Sequence, residues 1–117
     1  MKITEAEFRG TLPIDGYGPG FFRIAGEVRR GPQLVWGAGV ADWSGYDDPA
    51  ALIALADLVD VVFVGTGADI AHPPAAFRAA LDAAGVAWEP MATGPAARTY
   101  NVLLSEGRRV AAALLAV

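Results

Sequence analysis

The run Val61-Val62-Phe63-Val64, closed by Gly65-Thr66-Gly67, constrains the fold of this chain more than any other stretch. A strand of four consecutive large apolar residues has no polar face to offer water, so it must be covered on both sides. The flanking sequence predicts helices that can do so. Asp47 or Asp48 can cap a helix opening at Pro49, which needs no backbone donor in a first turn. It runs from Ala50 to Val59, with Leu52, Leu55 and Val59 on one face and Leu58 roughly opposite. Pro73-Pro74 opens a second helix, with Phe77 and Leu81 inward and Arg78–Asp82 as an exposed pair four residues apart. Gly85 stops it, and Val86 to Glu89 reads as a short strand.

Ahead of these elements the pattern has period two. Phe21 to Val28 predicts a half-buried strand, with Phe22, Ile24 and Val28 on one face and Arg23 and Glu27 on the other. Arg29 to Pro32 is a turn, Gln33 to Trp36 its antiparallel partner, and Val40 to Trp43 a third extended piece. After Glu89, a last helix is capped at Thr93 or Gly94, takes Pro95 in its first turn and stops at Gly107. Helical spacing turns Ala96, Tyr100, Leu103 and Leu104 inward, and Val110 to Val117 closes the chain as a strand. The expected fold class is therefore α/β. One domain spans residues 1–117, with an N-terminal β-meander followed by α-β-α-β-α-β around a mixed sheet.

Composition narrows the function. At 117 residues the chain can bury one core without covalent staples. The absence of cysteine excludes disulfides, zinc-thiolate sites and thiol nucleophiles. A net charge of -4 argues against nucleic-acid binding, which needs basic surface to neutralise phosphates. Apolar runs are broken well short of the roughly 18 residues a membrane span needs, and the first residues show no signal core. The expectation is a cytoplasmic, bacterial protein with no direct membrane insertion.

Few constellations carry chemistry. Gly65-Thr66-Gly67 before a helix invites a dinucleotide reading, but Ile70 stands where a third glycine is needed and two prolines delay the helix. The turn can still border a crevice, because ligands of α/β sheets gather at carboxyl ends of strands. Asp15-Gly16-Tyr17-Gly18-Pro19-Gly20 is expected to be a compact turn, since no helix follows to hold a phosphate. His72 with Asp69 offers too few ligands for a metal. Asp42, Asp47, Asp48 and Asp57 give no sign of a paired-carboxylate site, and neither a metal nor a cofactor is expected. At the last helix, Thr93-Gly94 presents backbone donors that could hold an anion. Arg98 and Val102 project outward, Asn101 lies at the boundary, and Glu106 and Arg108 are placed to bridge across Gly107.

Phe21-Phe22 with its strand, Trp43, the Val62 to Gly67 turn, Thr93, and Ala96 to Leu104 followed by Glu106 to Leu114 resemble the Mth938-like domain family. That family has no known biochemical activity, and its eukaryotic members include a mitochondrial factor for assembly of respiratory complex I. The resemblance covers nearly the whole chain and implies a three-layer arrangement of sheet and helices. It implies action through protein–protein contacts. It also marks Ala97, where many relatives carry cysteine, so any thiol reaction of theirs is closed to this chain. Two classes of function follow. One is an interaction protein that meets a partner or a second copy of itself through Leu58 and Val102. The other is a small-molecule or anion-binding protein, or an enzyme, with a pocket between Gly65-Thr66-Gly67 and the Thr93 helix start, and with Arg98 and Asn101 beside it.

Overall fold

The protein is described by a computed structural model covering residues 10–117. Among these residues, eight strands and three α-helices follow one another. The strands are β1 (Ile14–Gly18), β2 (Phe21–Ile24), β3 (Glu27–Arg30), β4 (Gln33–Trp36), β5 (Gly39–Asp42), β6 (Val61–Gly65), β7 (Trp88–Met91) and β8 (Val110–Leu114). The helices are α1 (Ala50–Ile53), α2 (Ala75–Ala83) and α3 (Thr93–Ser105), with a 3-10 turn at Gly45–Asp47. The first three strands make an antiparallel sheet, and the other five form a mixed sheet in the order β5-β4-β8-β6-β7.

The run that demanded cover receives it. β6 lies parallel between β7 and β8, and β8 pairs antiparallel with β4 on its far side. Alternation divides their side chains between two cores. Phe63, Val35, Val110, Ala112 and Leu114 face α3, joined by Ile14, Phe22 and Ile24 from the smaller sheet. Val62, Val64, Leu34, Ala111 and Ala113 face the other way, onto Leu52, Leu55, Phe77 and Leu81 of α1, the turns after it, and α2. The result is three layers, with helices on both faces of the mixed sheet. Crossover geometry accounts for the split. The step β6–α2–β7 moves one way along the sheet and β7–α3–β8 moves back, so crossovers of one hand put their helices on opposite faces. Ala112 of β8 and Ala96 and Ala97 of α3 lie in one core cluster, where small side chains permit close helix–sheet approach.

Several expectations are corrected. Phe21 to Val28 is two strands, because the chain reverses at Ala25-Gly26 and pairs Ile24 with Glu27. Both turn residues have positive φ (51° and 84°), which gives a two-residue hairpin loop a twist that matches its strands. The reversal shifts the alternation, so Val28 is 49% exposed instead of inward. Gln33–Trp36 pairs with β5 and β8 and not with the preceding strand. Asp15 to Gly18 is β-strand, and only Pro19-Gly20 is turn. The helix read over Ala50–Val59 is α-helical only to Ile53 and continues as turns. The strand expected at Val86–Glu89 lies at Trp88–Met91, where Pro90 is tolerated because β7 is an edge. α3 begins at Thr93, one residue earlier than a cap there would allow. Asp82 accepts from Trp88 Nε1 (2.8 Å) and Arg78 Nε donates to Pro73 O (2.9 Å), so the Arg78–Asp82 pair does not form. Among the described residues, no helix is long and apolar enough to cross a membrane.

Candidate functional site

Gly65, Thr66, Gly67 and Thr93 do come together, at the carboxyl ends of β6 and β8, and they do so as a hydrogen-bonded seam. Thr93 N donates to Gly67 O (2.8 Å), and Gly67 N donates to Thr93 Oγ1 (2.9 Å). The same hydroxyl donates to Leu115 O (2.8 Å), whose own N–H donates to Gly65 O (2.9 Å). Thr66 Oγ1 sits against Asp69 O (2.7 Å) and Met91 O (3.1 Å) and accepts from Ala71 N (3.1 Å). Gly65 is required by proximity, since a Cβ there would stand 2.8 Å from Leu114 Cδ2 and 2.9 Å from Thr93 Oγ1. The polar groups that could have met a ligand are bonded to one another, and Thr93 is fully buried.

Arg98 and Asn101 are not part of this seam. Asn101 lies two turns along α3 and binds the backbone of Ile14, accepting from its N–H (2.9 Å) and donating to its carbonyl (2.7 Å). Arg98 is exposed, and a Cβ at Gly94 would lie 3.5 Å from its Nη1 and collide with the Tyr17 hydroxyl. Tyr17 and Arg98 thus cover the first turn of the helix. Ala97, the position marked for cysteine in relatives, is 4% exposed and part of the core. His72 is exposed in its loop, and the described residues contain no cluster of three or more His, Cys, Asp or Glu fit for a metal.

A concavity lies at the other end of the sheet, where β6 and β8 begin. It is a groove of about 460 Å³ whose apolar surface comes from Trp36, Leu58, Val59, Leu104 and Val110. Two glycine-dependent turns shape it. Trp36 folds back over the β4–β5 turn, where a Cβ at Gly39 would stand 2.5 Å from its ring. At the end of α3, Arg108 N donates to Leu103 O (2.9 Å) and Gly107 N to Leu104 O (3.0 Å), with Gly107 at φ 82°. That closure satisfies the last helix carbonyls and sends the chain straight into β8. Arg109 and Arg108 stand at the rim. Arg109 pairs with Asp60 at 2.7 Å, and this hydrogen bond, with the attraction of the carboxylate, raises its already high pKa. Arg108 is exposed and has no ion pair among the described residues, so the bridge expected with Glu106 is absent. Among the described residues, the lining contains no carboxylate, histidine or serine. Such a surface can bind apolar matter.

Of the residues proposed from sequence for ligand binding or partner contact, Leu58 alone lines this groove. Gly37, Gly39 and Gly107 were its signal, because glycines around Trp36 and after a helix mark places where backbone is left uncovered.

The DUF498/DUF598 family, described as proteins of unknown function, matches residues 14–115. The chain belongs to this family. An uncharacterised protein of Rhodobacter capsulatus is 61% identical over 115 residues, covering 98% of this chain and 93% of the relative. A Bartonella henselae protein described as an outer membrane protein superposes with a TM-score of 0.81 at 37% identity, over 94% of this chain and 98% of the other. A Bordetella pertussis protein described as a Mth938-like domain superposes at 0.71 with 28% identity, over 89% and 85%. The Mth938-like resemblance read from sequence and the three-layer expectation both hold.

Proposed function

We propose that this chain is a non-catalytic accessory protein that docks a partner on the end of the molecule bearing the groove. The partner is a subunit of a respiratory complex under assembly, as the resemblance to a complex I assembly factor implies, and the setting is a bacterial cytoplasm. One observation supports the docking reading. Leu58 and Val102 are 57% and 55% exposed, Leu58 on the wall of the groove and Val102 on α3, two residues before the groove-lining Leu104. Covering an exposed side chain of this size stabilises a complex by up to about 1.5–3 kcal/mol, so the two side chains can anchor a partner.

The test is affinity purification from the native host with wild type and the Leu58→Asp/Val102→Asp double variant. Recovery of respiratory-complex subunits by wild type, and at least a tenfold loss with the variant, is the expected result. Both positions are exposed, so the variant should keep its circular dichroism and unfold within roughly 1 kcal/mol of wild type. Equal recovery by the two proteins, or recovery of no such subunit, would sink the reading.

A further inference from the structure

The floor and the rim of the groove differ in what they can satisfy. On the floor, the carbonyls of Leu103 and Leu104 are already taken by the N–H groups of Arg108 and Gly107. The surface between Trp36, Leu104 and Val110 is apolar. Thr11 also lines the groove, and the apolar surface beside it rewards an aliphatic ligand. At the rim, Asp60 neutralises Arg109, which leaves Arg108 as a cation without a carboxylate among the described residues, in a chain of net charge -4. The volume, about 460 Å³, falls in the range of small-molecule sites, roughly 300–1,000 Å³.

We infer that the groove binds an aliphatic chain carrying one anionic head group, the chain lying on Trp36, Leu104 and Val110 and the head at Arg108. Carboxylate and phosphate monoester heads share this chemistry, and a guanidinium receives either in a two-pronged hydrogen bond. The inference goes beyond the docking reading. A ligand on the floor leaves Val102 and the outer side of Leu58 free for a partner, so either can fail without the other.

The ligand site is tested on the full-length chain by titrating decanoate, decyl phosphate, decanol and decyltrimethylammonium below their micelle concentrations. Tryptophan fluorescence reports binding at Trp36, with Trp36→Phe as the control for Trp43 and Trp88. The backbone amide shifts of Gly37 and Gly107 give a second readout that does not depend on that variant. The anions should bind saturably and at least tenfold more tightly than decanol, with the cation weakest. Arg108→Ala should bring decanoate to the level of decanol and leave decanol unchanged. The ratio between decanoate and decyl phosphate identifies the preferred head. No saturable binding by any probe overturns the ligand site while leaving partner docking untouched. Equal affinity for decanoate and decanol, or no effect of Arg108→Ala, overturns the anionic head and reduces Arg108 to a surface charge beside a helix end.

Discussion

Asn101 does with one side chain what a neighbouring strand would do with its backbone. Its amide accepts from Ile14 N and donates to Ile14 O, tying α3 to the first strand at a residue only 4% exposed. Truncation leaves a donor and an acceptor with no partner in a place water reaches poorly, and each such group costs about 1–3 kcal/mol. Asn101→Ala should therefore destabilise the fold by roughly 2–3 kcal/mol in urea unfolding, and a change below half of that would mean water takes over the bonds. The sequence placed Asn101 at the edge of the buried face but could not say what it met, because Ile14 lies 87 positions away. Thr93 has the same history. Its place at the helix start was legible, whereas its bonds to Gly67 and Leu115 depend on three distant segments arriving together.

The β2–β3 hairpin shows how an element can be misread from a sound pattern. Phe22, Ile24 and Val28 alternate as one strand would, and only the positive φ of Ala25 and Gly26 breaks them into two. Alanine is a poor residue for that conformation, at a cost of roughly 1–2 kcal/mol, and it hides a turn that asparagine would advertise. The turn survives because Ala25 N donates to Pro13 O and Gly26 N to Asp15 Oδ2. Ala25→Asn should relieve the strain and raise stability by about 0.5–1 kcal/mol, seen as a melting temperature a few degrees higher. A lowered melting temperature would show that the alanine methyl group packs to more effect than its backbone costs. Helices were easier to read than this hairpin, since Gly85 and Gly107 end α2 and α3 by backbone conformations that the residue type itself announces.

For the molecule as a whole, Tyr100 links stability to pH. It is fully buried between α3 and the first strands, its hydroxyl donates to Leu12 O at 2.8 Å, and burial pushes its pKa well above the ordinary phenol value. A raised pKa means the unfolded chain gives up this proton first. Its contribution is thus complete below the ordinary phenol value of about 10 and is lost as pH rises beyond it. Stability measured from pH 8 to 11.5 should fall above pH 10, with a shallower fall in Tyr100→Phe. Parallel curves for the two proteins would assign the alkaline loss to other groups. What residue order settled here is the local and the periodic: a doubly covered β6, glycine-ended helices, the inward faces of α2 and α3, and a cysteine-free chain of class α/β. Hydrophobic period and turn chemistry act over a few neighbours, so a single chain displays them. Which end of the sheet stays open was decided only in three dimensions. The carboxyl ends of β6 and β8 were the expected crevice, yet there Thr93, Gly67 and Leu115 satisfy one another, while Trp36, Leu58, Leu104 and Arg108 meet at the opposite end. Such cavities arise where packed elements fail to fill space between them, and that remainder is a property of the assembled fold.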